Sequence, residues 1–379
     1  MRETVFTNAA IVTSDRVVSG TLTLRDGLIA DVSEGRSSLP GAIDCDGDFL
    51  LPGLVELHTD NLEHHFTPRP GVLWDGLSAA IAHDAAVATS GITTVLDALA
   101  VGDVRQDSNR ISHLVTMVEA IAEAGSQRVL RVDHLLHLRC EISYASLIET
   151  YDRFAAMPAL RLVSIMDHTP GQRQFAKLDQ YYLYYKGKFG FTDQEMTGFI
   201  DLQIANQQAY SAANRKAIVA RCHEAGIPLA SHDDASAEHV DEAAADGMVI
   251  AEFPTTVEAA RLSKAAGMKV LMGAPNLVRG GSHSGNVSAV DLARQGLLEI
   301  ISSDYIPSSL MTSVFLLHRK HGMALPEAVA KASLIPAQAI GLTDRGEIAP
   351  AKRGDVVRVS EVGSVPVVRE VWVEGARVA

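Results

Sequence analysis

Eight short apolar runs separated by helix-like stretches constrain this chain more than any other feature. They are LVELH near 54–58, TTVLDAL at 93–99, RVLRVDHLLHLR at 128–139 and RLVSIMDH at 161–168, then PLASHDD at 228–234, MVIAEF at 248–253, KVLMGAP at 269–275 and LEIISSDY at 298–305. Stretches such as AAIAHDAAVATSG, NRKAIVARCHEAG and SAEHVDEAAADG lie between them. Most of these end at Gly, as helix C-termini often do. Eight β–α units predict an α/β fold, a TIM-like (β/α)8 barrel.

The two ends of the chain read differently. From about Val5 to Leu50 apolar and polar residues alternate, and Asp26-Gly27 between two such runs is a hairpin signal. The segment from Gly346 to Val378 alternates in the same way. The expected organisation is a small β-sandwich domain from residues 1–51 plus 343–379, and a barrel over 52–342.

Composition narrows the function. The chain has 379 residues and a formal net charge of -13, which argues against a nucleic-acid binder relying on a global basic field. A local basic pocket for an anionic small molecule remains compatible with that balance. Cys45, Cys140 and Cys222 form no CxxC pair, so a disulfide framework is not expected. No signal peptide or membrane span is visible. The expectation is a cytoplasmic enzyme without nucleic-acid or membrane partners; a homodimer is expected from class alone.

In such barrels catalytic groups gather where the strands end. Polar residues stand there in this chain: His58 and Asp60 on the first run, Asp97 on the second, and Asp133, His134 and His137 on the third. Asp167 and His168 close the fourth, His232, Asp233 and Asp234 the fifth, and Asp304 the eighth, while Glu252 lies on the sixth. His58 and Asp60, two apart on a strand, point the same way. Buried carboxylates and imidazoles are costly without partners, and a divalent cation would satisfy several together. His58, Asp60, His232 and Asp304 are the expected ligand set, with Asp304 also the general base on a bound water. Asp167 and His168 either face the site or organise the loop that follows.

Three further segments carry cations. GAPNLVRGGSHSGN, Gly273–Asn286, offers Arg279, Ser282 and His283, with Gly280 and Gly281 freeing backbone N–H groups as an anion nest. The connection from about Thr169 to a helix at Asn214 interleaves Arg173, Lys177, Lys186 and Lys188 with tyrosines. That pattern suits either a polyphosphate or stacked ring, or a helix packing its tyrosines on the barrel. Arg69 and Arg139 sit just past strand ends, where they would bind phosphate or pair with a site carboxylate.

The block LIPAQAIGLTDRGEIAPAKRGDVVRV and the motif LPGLVELHTDN resemble the amidohydrolase superfamily. Most members carry His-x-His on the first strand; here His58-Thr59-Asp60 stands instead. VELHTDNLEHHFTPRPG, MDHTPGQRQF, PLASHDDAS, IAEFPTT, LMGAPNLVRGGSHSGNVSA and SSDYIP resemble one branch of it, which serves bacterial phosphonate utilisation. The resemblance implies hydrolysis of α-D-ribose 1-methylphosphonate 5-triphosphate to the 5-phosphate and pyrophosphate. It implies one or two divalent ions, with zinc the first expectation and manganese, iron or nickel the alternatives. Two departures bear on the site. The usual sixth-strand His gives way to the AEFPTT segment, and the usual fourth-strand bridging Lys is absent from RLVSIMDH. If two metals bind, Lys188, carrying a carbamate, or Asp167 is the candidate bridge. Arg279, Ser282, His283, Lys186, Arg173, His168 and Arg69 are the expected substrate contacts. The competing expectations are another reaction of the superfamily (cyclic amide hydrolysis, deamination or N-deacetylation) and a non-catalytic scaffold.

Overall fold

A computed structural model describes all residues except 1–2, 70, 104–109, 174–180, 183–184, 188–189 and 283–284. Among the described residues, no helix is long and apolar enough to cross a membrane. The three cysteines are buried free thiols.

The termini build one curled sheet. Strands β1 (Glu3–Val12), β2 (Val17–Arg25) and β3 (Leu28–Glu34) form an antiparallel meander. Asp26 and Gly27 both take positive φ, 49° and 87°, as the expected two-residue hairpin requires. The short β4 (Ile43–Asp44) and β5 (Phe49–Pro52) lie parallel to β1.

The chain then enters the barrel, β6 to β13. These strands are Leu54–Thr59, Ile92–Val101, Asp133–Glu141, Leu160–Met166, Leu229–His232, Ile250–Glu252, Lys269–Gly273 and Ile300–Ser302. They pair in sequence order and in parallel. β14 (Val356–Val362), β15 (Val365–Val373) and β16 (Ala376–Arg377) return to the terminal sheet, β14 pairing with β5. Phe6 meets Trp372 edge-on at 4.6 Å between the curled layers.

All eight expected strands are present, and two boundaries differ. The third barrel strand begins at Asp133 rather than near Arg128, so Asp133 opens it, and Arg345 and Arg353 pair with its carboxylate. The helix expected at Asn214 starts at Asp193 and runs to Ala225, opened by a Thr192–Glu195 capping box. Its first half buries Met196 and Phe199 against Tyr181 and Tyr185. Tyr181 and Tyr185 are therefore buried, but against this helix in a cluster of their own rather than on the barrel strands.

The barrel interior is filled by Val55, Leu57, Leu96, Leu162, Ala230, Ile250, Leu271 and Ile300, with Ala337 and Ile340 packed against them. Closure is made where the first strand meets the last. Thr59 bridges Asp304, and the buried Glu56 carboxylate accepts from the backbone N–H of His58 at 2.7 Å and of Ser303 at 2.5 Å. Burial raises the Glu56 pKa to about 7, against the lowering effect of these donors.

Candidate metal centre

The centre is organised around Glu252, which ends β11 and is completely buried. One carboxylate oxygen accepts from His58 Nδ1 at 3.0 Å and the other from His232 Nδ1 at 3.2 Å. The two imidazoles stack at 5.8 Å with an interplanar angle of 15°, and Phe253 packs edge-on against both. Burial alone would raise the Glu252 pKa; His58, His137 and the bonds from His232 and His58 outweigh it and hold the carboxylate well below its usual range. An ionised Glu252 can only accept, so both Nδ1 atoms carry the proton. Each Nε2 is left as a lone-pair donor, which is how proteins orient imidazoles for a cation. Burial, the largest influence, lowers the His232 pKa and keeps that ring neutral at neutral pH.

A second group shares His232. The ligand atoms of His168, His232 and Asp233 lie within 4.8 Å of one another, as do those of His58, His232 and Glu252. Asp233 Oδ2 is 3.4 Å from His232 Nε2. His168 Nδ1 bonds Glu141 Oε2 at 2.7 Å, and its backbone N–H donates to Glu141 Oε1 at 3.2 Å. The Asp167 pKa is raised, by burial and then by the charge of Glu141, while its carboxylate accepts from the Thr169 N–H at 3.0 Å.

Asp60 and Asp304 adjoin His58 through the closing seam. The Asp304 N–H donates to the His58 carbonyl at 3.1 Å, and the Asp304 carbonyl accepts from the Asp60 N–H at 3.1 Å. The Asp304 carboxylate lies over Gly273, one of its oxygens 3.4 Å from where a Cβ on that residue would stand. Asp60 Oδ1 is buried and has no hydrogen-bond partner among the described residues. Beside Asp60 opens a cavity of about 690 Å³, lined by Glu63, His64, Thr67, Arg69 and His113 among others.

The structure thus brings His58 and His232 together around Glu252, and His168 beside His232; Asp60 and Asp304 are tied to the same strand ends by backbone bonds, but their carboxylates belong to none of the donor groups among the described residues. Other expected site residues stand elsewhere. Arg173 is buried and paired with Asp234, and it also reaches Glu242 at 3.3 Å and the His232 carbonyl at 3.3 Å. Its charge is already satisfied, so it holds the strand-five loop rather than offering itself to a substrate. Lys186 pairs with Asp193 and lies 5.3 Å over the Tyr182 ring.

Among the described residues, Gly280 and Gly281 do not form the expected anion nest. Residues Ala274–Arg279 make a short helix, and the N–H groups of Gly280 and Gly281 cap it by donating to Leu277 and Asn276 carbonyls. Arg279 is exposed at its end, and Ser282 is half-buried. Lys188 and His283 lie outside the described residues.

Asp97 and His134 leave the mouth for a separate buried cluster with His83 on the helix Gly76–Thr89. His83 Nε2 and His134 Nδ1 bond the two Asp97 oxygens at 2.7 and 2.8 Å. His83 Nδ1 accepts from Asn61 Nδ2 at 2.9 Å. The ligand atoms of His83, Asp97 and His134 also lie within 4.8 Å of one another, and in this structure they are engaged with each other as hydrogen bonds. His137 likewise spends both nitrogens, on the Leu57 carbonyl and Ser164 Oγ, each at 2.9 Å. Glu141 is a site residue that strand-end reasoning passed over, because it lies two residues beyond the expected end of its strand.

The sequence model described as "Amidohydrolase family" matches residues 49–378. A protein of Escherichia coli (strain K12) described as alpha-D-ribose 1-methylphosphonate 5-triphosphate diphosphatase is 47% identical over 376 residues, covering 99% of this chain and 100% of that protein. N-acetylglucosamine-6-phosphate deacetylase from Pasteurella multocida superposes with a TM-score of 0.62 at 14% identity, over 99% of both chains. A 5-methylcytosine deaminase from Klebsiella pneumoniae gives 0.62 at 16%, over 100% of this chain and 97% of that one. At such identities the likeness of these two structures shows the fold alone.

Proposed function

The chain belongs to the amidohydrolase family, and we propose that it hydrolyses α-D-ribose 1-methylphosphonate 5-triphosphate to ribose 1-methylphosphonate 5-phosphate and pyrophosphate, a step of phosphonate breakdown. The observation that carries this reading is the full-length, 47% identical relative bearing that activity in its description. The donor set supports it. Two imidazoles whose Nδ1 atoms are held by Glu252, with His232 Nε2 beside Asp233 Oδ2, a buried Asp60 oxygen without a partner and the His168–His232–Asp233 group fit N/O ligation of a divalent cation. His58, His232, Asp60 and Asp304 would hold one ion, and His168 and Asp233, sharing His232, a second. Zinc is the proposed metal, with manganese, iron or nickel as alternatives. Bound there, a divalent cation polarises a phosphoryl oxygen and lowers the pKa of water.

The chain's own groups supply the rest. Glu252 fixes both imidazoles in one tautomer, so the donors are set before substrate arrives. Asp304, anchored by its backbone in the closing seam, takes one proton from the attacking water. The water oxygen bonds to phosphorus at the bridge between the first and second phosphates. That bridging P–O bond breaks, and pyrophosphate leaves as an anion. The segment 52–342 would carry this chemistry, with 1–51 and 343–379 as a supporting domain.

The test is pyrophosphate release by metal-loaded protein from the ribose triphosphate, with ATP in parallel. Release lost on chelation and restored by added metal is expected. Asp304→Asn should lower kcat by about 10²–10⁴-fold, the usual contribution of a general base, without lowering the melting temperature. No release with any of the four metals refutes the reading, and the search then moves to amide-type substrates.

A further inference from the structure

The mouth of the barrel holds a cation that the mechanism above does not use. Successive side chains alternate along a strand, so His137, Arg139 and Glu141 of β8 share one face. The two flanking residues reach the site. The His137 ring meets His58 edge-on at 5.2 Å, and Glu141 holds His168 at 2.7 Å. Arg139 stands between them, opposite Ser164 in the strand register, and so points into the space between His58 and His168.

Its bonding is unlike that of other arginines in the interior. Arg173, Arg215 and Arg353, each mostly buried, are all paired with carboxylates. Arg139 makes no ion pair and no side-chain hydrogen bond among the described residues, and its Nε is buried without a partner. Carboxylates are close at hand, but histidines engage them: Glu141 is taken by His168, and Glu252 by His58 and His232. A buried donor left unmade costs folding stability. A rigid fork of N–H donors kept unpaired in a cleft suits a tetrahedral oxyanion, which it can grip in bidentate fashion. Arg69 and Arg279 are by contrast exposed. The Arg139 charge also opposes protonation of His137, His168 and His232, which agrees with its lying among them.

We propose that Arg139 binds a phosphoryl oxyanion of the substrate within the barrel mouth. It would hold the reacting chain of phosphates against the histidine donors and stabilise charge gathering on equatorial oxygens as the bridge breaks. The assignment rests on the triphosphate reading for its substrate, but the anion site itself can be probed without turnover.

The test uses metal-loaded protein and the variants Arg139→Met and Arg139→Lys, with calorimetric binding of inorganic phosphate and pyrophosphate beside steady-state kinetics. Hydrogen bonds to charged groups are worth about 1.5–3 kcal/mol, so Arg139→Met should bind at least one of the two anions about 10- to 100-fold more weakly. Metal content and melting temperature should be unchanged. Arg139→Lys, which keeps the charge and loses the fork, should recover part of the affinity. Wild-type affinity of Arg139→Met for both anions overturns the proposal, as does loss of metal in that variant, which would mark a structural role. If wild type releases no pyrophosphate from the triphosphate yet binds these anions through Arg139, the substrate reading fails and the anion site stands.

Discussion

The cluster of His83, Asp97 and His134 offers a test free of metal and substrate. Asp97 is wholly buried and accepts from His83 Nε2 at 2.7 Å and His134 Nδ1 at 2.8 Å. His134 Nε2 also lies 3.5 Å from Asp84. Burial would lower the His134 pKa, but Asp97 and Asp84 outweigh it and raise it from 6.5 to about 9. At roughly 1.4 kcal/mol per pH unit this is about 3 kcal/mol of stability. Because the folded value is the higher one, that stability is fully present below pH 6.5 and fades as pH rises through 9. Asp97 shifts the opposite way. Burial would raise its pKa, yet His134 and His83 hold it well below the usual carboxylate range. Its contribution is present above the ordinary carboxylate pKa and lost in acid. Asp97→Asn leaves a buried imidazolium without its main partner, a change that costs about 3–5 kcal/mol. The variant should therefore be about 3–5 kcal/mol less stable at pH 6, by urea unfolding, and the gap should shrink by about 3 kcal/mol at pH 9.5. Comparing the two proteins at each pH cancels the groups they share. An equal gap at both pH values would refute the assignment of His134 as the charged partner of Asp97.

Two further outcomes can be measured. Glu252→Gln removes the charge that orients His58 and His232, and outer partners of ligand histidines are worth about 10–100-fold in metal affinity. Competition with a chromophoric chelator reads that loss, and wild-type affinity would show that Glu252 does not set the imidazoles. Phe315, on the helix Ser308–His321, meets Phe49 of the terminal sheet at 5.6 Å. Phe315→Ala should cost about 3–5 kcal/mol in denaturant unfolding, and a loss under about 1 kcal/mol would show that this contact does not bind sheet to barrel.

Much of this molecule is legible in its sequence, for physical reasons. Strands buried on both faces must be apolar throughout, so the barrel strands stand out as runs. The same signal misleads at Asp133. Val129 and Val132 extend the apolar run, but the chain turns at Arg128, with φ 55°, and the strand starts only at Asp133. Shifting that strand C-terminally hides Glu141 and moves Asp133 to the opposite end of the barrel. The long helix shows a different limit. Its first half does carry Met196, Phe199, Ile200 and Ile204 at helical spacing, but they lie in a segment whose interleaved cations and tyrosines dominate its reading, and the Thr192–Glu195 capping box is evident only in the structure. Nothing local marks Arg173 as the partner of Asp234, since that pairing joins loops 61 positions apart. Gly280 and Gly281 fit an anion nest and a helix cap equally well, and only the observed donor partners decide for the cap.

The backbone at the rim explains how the site is aimed. Asp233, Phe253 and Asp304 take φ of 57°, 53° and 57°, in the left-handed region that residues with a Cβ avoid. Each follows a barrel strand end, and such conformations cost about 1–3 kcal/mol apiece unless the surroundings impose them. Here they are imposed. The N–H of Asp233 donates to the Glu252 carbonyl at 2.9 Å, that of Phe253 to the Leu271 carbonyl at 2.9 Å, and that of Asp304 to the His58 carbonyl at 3.1 Å. The strand ladder thus runs one residue beyond the regular strand at Asp233 and Phe253 and two beyond it at Asp304, and at that residue the chain swings out of its extended path. The turn sets Asp233 beside His232, Phe253 against the rings of His58 and His232, and Asp304 over Gly273. The inter-strand bonds that close the barrel rim are therefore the bonds that aim its donors. A substitution that relaxed one of these backbones would loosen the rim and misdirect the site together.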